Sequence, residues 1–291
     1  MNAETQFVKN ISSRLILDAL CYRNYIPSEL VAIIGKYFQE ELDNDSIKKA
    51  VYMWTSTPFQ RDLCLLKYGH ISYWDTSKVT DMTRLFIHNV TFNDDIRNWD
   101  TSNVIFMTCM FEGATSFNQP LEKWDVSKVF DMCSMFYCAH SFNQKLEHWD
   151  VSNVIDMSGM FCNASSFNQP LEQWNVSKVT DMTSMFYGCS RFNQPLEKWN
   201  VSKVTNMRFM FYCASSFNQP LEHWNVANVT TMVSMFHNAS SFNQPLDQWN
   251  VRNATEIIDM FYNASSFNQS LDNWDELTLW ITGKNIIIKS K

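Results

Sequence analysis

The chain has 291 residues, 45% of them hydrophobic and 15% aromatic, so its composition differs from that of a disordered acidic tail. It carries 23 Lys and Arg against 30 Asp and Glu, a net charge of −7 at pH 7. A surface that binds nucleic-acid phosphates needs the opposite sign, so these numbers argue against nucleic acid as a partner.

The N-terminal stretch, MNAETQFVKNISSRLILDAL, does not have the pattern of an export signal. It has no basic start, no apolar run and no small-residue cleavage site. No apolar run in the chain approaches the ~20 residues that span a bilayer. The eight cysteines lack paired spacing. We therefore expect a reduced, cytoplasmic protein without a membrane span.

Residues 1–47 are predicted to form a small helical region. Within it, IPSELVAIIGKYF (26–38) has a proline suited to a first helical turn, followed by apolar residues at helical spacing. This stretch resembles the opening of an F-box, whose pattern is roughly L-P-x-E-[LI]-x-x-x-I-x-x-[YF]-[LF]. The resemblance implies docking to the adaptor subunit of an SCF-type ubiquitin ligase, and a plain capping hairpin is the alternative. The docking face would comprise Pro27, Leu30, Ile33, Ile34 and Phe38.

Residues 48–73 are predicted to cap the repeats that follow. The stretch from Ser46 to Asp75 has the pattern of two short helices that lead into the first repeated tryptophan. Repeat arrays need such a cap because a terminal turn would otherwise expose its core.

A 25-residue repeat fills residues 74–274 without an insertion. Tryptophan marks its period, and a phenylalanine column follows the same spacing from Phe92 to Phe267. A fixed period of this kind indicates eight units that each make one turn and stack on their neighbours. The tryptophans are Trp74, Trp99, Trp124, Trp149, Trp174, Trp199, Trp224, Trp249 and Trp274.

The spacing within one repeat predicts a short strand and a helical turn. The pattern L-x-x-W-x-V-x-x-V is similar to the strand segment of leucine-rich repeats (LRRs), so we expect a strand near Trp174–Val176. Met182, Met185 and Phe186 follow at i, i+3 and i+4, which predicts a helical turn over about 181–187. The predicted fold class is an α/β repeat solenoid, LRR-like, with a small N-terminal helical region.

Two further columns are assigned structural roles. Asparagine follows phenylalanine in every repeat, and a buried side-chain amide must be hydrogen-bonded. We expect a ladder that pairs loop backbone groups, with a ligand-binding column as the alternative. This asparagine ladder includes Asn118, Asn143, Asn168, Asn193, Asn218 and Asn243. The predicted core includes Trp124, Trp149, Trp174, Trp199 and Trp224.

A column of acidic residues lies two positions before the tryptophans. Carboxylates stacked at ~4.8 Å repel one another, so this column should face water. It is either a solvated ridge or a stripe that docks a basic partner. This acidic stripe comprises Glu122, Glu147, Glu172, Glu197, Glu222, Asp247 and Asp272.

The sequence contains no pattern that indicates an enzyme. It lacks glycine-rich phosphate loops, the G-x-S-x-G nucleophile elbow and the H-E-x-x-H zinc motif, and it has six glycines in all. His148 and His223 share a column but lie three turns apart, ~14 Å by strand spacing, which is too far to bind one metal ion. We expect no catalytic residue, no metal and no cofactor.

Residues 275–291 depart from the repeat and are predicted to form a C-terminal cap. The run Ile286–Ile288 has the composition of a strand that pairs with the last turn. The lysines beside it would discourage edge-to-edge aggregation.

The repeated phrase FNQPLE-x-W-[DN]-V-S-[KN]-V-T-x-M-x-x-M-F-x-x-A-S-S resembles the BspA-like leucine-rich-repeat surface-protein family, which is also abundant in mycoplasma lipoproteins. The resemblance covers residues 48–275. It implies an LRR-like solenoid that binds proteins, and it supplies no catalytic residues. Members occur in bacterial surface proteins, protists, algae and large DNA viruses.

We therefore predict a non-enzymatic protein–protein interaction scaffold. With the F-box resemblance, it becomes a ubiquitin-ligase substrate adaptor whose partners include the SCF-type ligase adaptor. The alternative is a surface or virion structural or adhesion protein of a bacterium, a protist or a large DNA virus. The expected compartment is the cytoplasm, or the host cytoplasm for a viral protein.

Overall fold

The computed structural model describes residues 41–274. The predicted C-terminal cap, 275–291, lies outside the described residues. So does the F-box-like face, which comprises Pro27, Leu30, Ile33, Ile34 and Phe38.

Two helices precede the repeats. Helix α1 spans Asn44–Thr55 and begins at a capping box, in which the Asp43 side chain accepts from the backbone N–H of Ser46 and the Ser46 hydroxyl accepts from the backbone N–H of Asp43. Helix α2 spans Pro58–Tyr68, with proline in its first turn. A 3-10 helix, Ile71–Tyr73, leads to the first tryptophan. Helix α1 begins at Asn44 and therefore crosses the predicted domain boundary at residue 48.

Helix α1 completes the open edge of the first repeat. The Asn44 side-chain oxygen accepts hydrogen bonds from the backbone N–H of Thr80 at 2.8 Å and of Asp81 at 3.1 Å. Lys48 adds an ion pair to Asp81 at 3.0 Å. These backbone groups would otherwise have no partner, since no earlier repeat exists to pair with them.

Each 25-residue repeat forms one coil that stacks on the next through a parallel β-bridge. Coils paired in this way lie ~4.8 Å apart. The bridges join Asp81 to Phe106, Phe106 to Asp131, Asp131 to Asp156, Asp156 to Asp181, Asp181 to Asn206, Asn206 to Thr231, and Thr231 to Glu256.

The β-bridge does not lie where the sequence predicts it. The predicted strand near Trp174–Val176 is irregular, and the bridge of that repeat is at Asp181. The helical turn predicted over about 181–187 is also wrong. That segment forms consecutive turns, in which Ser184 and Gly188 have positive φ angles of 55° and 66°. A right-handed helix cannot contain such residues.

Alternating hydrogen bonds explain this conformation. The backbone N–H of Met182 donates to Asn206 in the next repeat at 3.0 Å, and that of Ser184 donates to Arg208 at 2.8 Å. The next N–H, that of Met185, donates locally to Met182 at 3.2 Å, and that of Phe186 again donates to the next coil, to Met210 at 2.9 Å. The apolar side chains therefore recur at helical spacing, while every second backbone N–H of the segment ties one coil to the next.

The core is a set of stacked aromatic rings. The ring of Phe186 lies 4.1 Å from that of Phe192 in the same coil, with the two rings 11° from parallel, and 5.6 Å from the ring of Phe211 in the neighbouring coil. The column from Phe92 to Phe267 and a second phenylalanine column, from Phe86 to Phe261, are both buried along the array. Offset stacking of this kind adds about 0.5–1.5 kcal/mol for each pair beyond the burial of apolar area.

The tryptophan column adds a polar tie between coils. Trp174 is 3% exposed, and its Nε1 donates to the carbonyl oxygen of Leu146 at 2.9 Å. The equivalent bond is made by Trp99, Trp124, Trp149, Trp199, Trp224, Trp249 and Trp274. The indole thus fills the core and also satisfies a buried carbonyl group.

Candidate protein-binding faces

The asparagine ladder sets the spacing of the loops on one side of the stack. The side-chain oxygen of Asn168 accepts from the backbone N–H of Asn193 and from the side-chain amide of Gln194, both at 3.0 Å. The same backbone bond is made by Asn118, Asn143, Asn168, Asn218, Asn243 and Asn268. Sequence reasoning missed the glutamine that follows each asparagine from Asn118 onward, although it recurs with the same period.

The acidic stripe emerges from this loop side. Glu172 lies between Leu171 and Trp174. Both of these side chains are buried, and they hold the backbone of Glu172 at the edge of the core. Its side chain is 25% exposed, and that of Glu197 in the next coil is 43% exposed. The carboxylates are thus half-buried to exposed at one-coil spacing, which places the stripe in contact with water.

Only part of the negative charge of the stripe is compensated by its neighbours. Lys198 forms an ion pair with Glu172 at 3.1 Å. His148 lies 3.5 Å from Glu147. The column beside the seven carboxylates supplies two lysines, Lys123 and Lys198, and its other members are histidine, glutamine and asparagine. A strip of net negative charge therefore remains along the array.

One group on the stripe brings three potential metal ligands together. The Nε2 atom of His223 lies 3.5 Å from a carboxylate oxygen of both Glu197 and Glu222. The ligand atoms of all three lie within 4.8 Å of one another. Sequence reasoning missed this group, because Glu197 and His223 meet only through stacking. His223 is 68% exposed, and exposed acidic groups of this kind are common without a metal ion, so we assign no cation site.

A second face carries a column of stacked aromatic side chains. The rings of Tyr187 and Tyr212 are 4.6 Å apart and 2° from parallel, and His237 continues the stack at 4.5 Å. Tyr262 ends it at 4.8 Å and is 48% exposed. Desolvation lowers the pKa of His237, which favours its neutral form at neutral pH.

Three cysteines of the repeats, Cys109, Cys162 and Cys189, are held in the unreactive thiol form. Burial raises the pKa of Cys162 to about 12 and is also the main cause of a pKa of about 12 at Cys109. Cys189 is fully buried, and its pKa is also raised. Such thiols stay protonated at neutral pH, whereas nucleophilic attack and zinc binding require the thiolate.

Neither of the two α-helices in residues 41–274 has the length and apolar composition needed to cross a bilayer. This finding applies to the described part of the chain alone.

Comparison with known proteins places the repeats in a family. Three overlapping stretches, residues 63–173, 119–213 and 192–280, match the family described as "Mycoplasma protein of unknown function, DUF285". Together they run from residue 63 to residue 280, which is 218 of the 291 residues. No curated protein and no solved structure matches the chain. The chain therefore belongs to the DUF285 family and is a repeat protein.

Proposed function

We propose that this protein is a non-enzymatic interaction scaffold whose acidic stripe binds a basic segment of a protein partner. The observation that supports the proposal is the row of seven carboxylates in register, half-buried to exposed, on a hydrogen-bonded frame. The assignment of the stack to the LRR-like solenoids remains a prediction.

The stripe favours the binding of positively charged side chains, because its carboxylates repel one another. Two carboxylates ~4.8 Å apart in water repel by about 1 kcal/mol. The ladder holds them at that spacing, because Asn168 and Asn193 fix adjacent coils to each other. Lysine and arginine side chains of a partner would relieve this repulsion, and added salt would weaken the attraction by screening it.

Two charge-matched variants of the full chain test this proposal. The stripe variant is Glu172→Gln with Glu197→Gln and Glu222→Gln. The control variant is Asp100→Asn with Asp125→Asn and Asp150→Asn. It removes the same charge from a column in which the later repeats already have asparagine. In both versions of that column the side chain accepts the same turn bond, as at Asp125 and Asn175.

A lysine- and arginine-rich peptide titrated calorimetrically into each protein gives the comparison. We expect the stripe variant to bind at least about tenfold more weakly than the wild type, which corresponds to about 1.4 kcal/mol. The control variant should stay within about twofold. Equal losses in both variants would show that net charge, and not the stripe, attracts the peptide.

We further propose that residues 26–38 dock an SCF-type ligase adaptor, which would make the protein a substrate adaptor. The resemblance to an F-box supports this, and the full chain with Leu30→Asp and Ile34→Asp tests it. Wild type should co-elute with the purified ligase adaptor from a sizing column, and the variant should not. Any truncation should stop before Glu41, since Leu42 and Asn44 hold the cap on the first repeat.

Surface display, on a cell or a virion, is the second candidate function. Membership of a family described as a Mycoplasma protein supports it. Protease treatment of intact cells that make the protein tests it, because a displayed array would be cleaved while cytoplasmic markers survive.

A further inference from the structure

An exposed apolar patch lies on the bridge side of the first repeats. Ile105, Phe106, Phe130 and Ile155 are 36%, 37%, 37% and 45% exposed. The rings of Phe106 and Phe130 meet edge to face with their centroids 4.7 Å apart. Backbone hydrogen bonds tie Phe130 to Ile105 at 3.1 Å and Ile155 to Phe130 at 2.9 Å, so the patch runs along consecutive coils.

The patch has apolar residues at positions where most other repeats have polar ones. The column that contains Ile105, Phe130 and Ile155 continues as threonine at the four positions after Ile155. Phe106 occupies the bridge position, where Asp131, Asp156 and Asp181 each accept a hydrogen bond from the backbone N–H two residues later. Phenylalanine has no side-chain acceptor for that bond. The later threonines are Thr180, Thr205, Thr230 and Thr255.

The chain enters the described structure beside this patch. Glu41 forms an ion pair with Lys78, and the backbone N–H of Leu42 donates to Asp75 at 2.9 Å. Asn44 then bonds to Thr80, which is the next member of the Ile105 column toward the N-terminus. The described chain therefore begins one coil away from the first exposed apolar side chain.

We propose that residues 26–38 cover this patch in cis, through the apolar side chains at Leu30, Ile33, Ile34 and Phe38. A helix of this length is about 20 Å long. The column from Thr80 to Ile155 covers three coil steps, or ~14 Å, so the segment reaches the whole patch. Two residues separate Phe38 from Glu41, which leaves the segment within reach of Ile105.

The size of the patch favours a tethered occupant over a second copy of the chain. Large side chains present about 200 Å² each, so these four expose roughly 300 Å² in total. A stable complex between separate molecules buries about 800 Å² on each partner. A segment joined to the patch by a few residues has a millimolar effective concentration and needs less contact area. The inference goes beyond the proposed function and does not depend on ligase binding. The same apolar side chains cannot cover the patch and contact a ligase adaptor at once, so the covered form is that of the protein without such a partner.

Photocrosslinking of the full chain identifies the occupant. We would place p-benzoyl-L-phenylalanine in place of Phe130, irradiate the monomer and map the crosslinked peptides by mass spectrometry. The same residue in place of Thr205, in the same column three coils later, is the control. We expect crosslinks to residues 26–38 from position 130 and none from position 205. A crosslinked dimer, crosslinks to another segment, or no crosslink would overturn the proposal.

Limited proteolysis of a second variant checks the result without a probe. Phe130→Thr with Ile155→Thr installs the residue that later coils already have, so the array should fold, as circular dichroism would verify. We expect trypsin to cut after Lys36 about tenfold faster in this variant, because cleavage follows the population of the open form. An unchanged rate in a folded variant would contradict docking.

Discussion

Replacement of Asn168 by alanine tests whether the asparagine ladder holds adjacent coils together. Its side-chain oxygen accepts from the backbone N–H of Asn193 and from the amide of Gln194, both at 3.0 Å. The Asn168 backbone N–H donates to Asn143 at 2.9 Å, and alanine retains that bond. The substitution therefore removes the acceptor of two part-buried donors and keeps the hydrogen bond to the preceding coil.

We expect Asn168→Ala to destabilise the protein by about 2–3 kcal/mol. Each lost hydrogen bond contributes about 1 kcal/mol, and a part-buried backbone donor left without an acceptor adds to that cost. Urea unfolding measures the change as a lower midpoint. An unchanged slope of the unfolding free energy against urea concentration would show that the array still unfolds as one unit. Repeat arrays can lose this cooperativity, so the slope must be compared first.

Asn268 supplies the matched control. It occupies the same place in the last repeat, is exposed, and accepts no hydrogen bond through its side chain from any described residue. Asn268→Ala should lower stability by less than about 0.5 kcal/mol, as for surface substitutions in general. If both variants lose the same stability, the ladder does not tie the coils together and our account of the loops is wrong.

Three further predictions concern the core and its thiols. Trp174→Phe should lower the free energy of unfolding in urea by about 1–3 kcal/mol, because it removes the buried indole hydrogen bond to the Leu146 carbonyl and replaces a large core ring with a smaller one. Gly188→Ala should destabilise by about 1–3 kcal/mol, because φ is 66° there and the new Cβ would clash with the Asn163 side chain. Burial raises the pKa of Cys162 from 9.0 to about 12, so the folded state keeps a proton that the unfolded state loses. Stability should therefore fall as pH rises from about 9 to about 12, and Cys162→Ala should flatten that slope.

The sequence allowed the array to be predicted but not the path of the backbone within a coil. A strict 25-residue period is enough to place Trp174 and Phe186 in continuous columns, since neighbouring coils must repeat the same contacts. The spacing of Met182, Met185 and Phe186 was misleading. It matches an α-helix, yet Ser184 between them has a positive φ angle, a conformation that a serine in the sequence does not indicate.

The candidate faces were only partly predictable for a similar reason. The acidic stripe follows from its column alone. The contact between Glu197 and His223 could not be predicted in this way, because it depends on the side-chain orientations of two columns in adjacent coils. The apolar patch was missed because Ile105 and Phe130 occur in a repeat rich in core residues of the same type. Only the structure shows that these two side chains point outward.

Hydrogen exchange with a bound basic peptide tests the interaction proposal most directly, because it locates the face that binds. Peptide should slow exchange at residues 171–173, 196–198 and 221–223, which carry the middle of the acidic stripe. Exchange around the stacked rings of Tyr187 and Tyr212 should not change. Protection on that aromatic face, or no protection on the stripe under conditions where the peptide binds, would contradict the account.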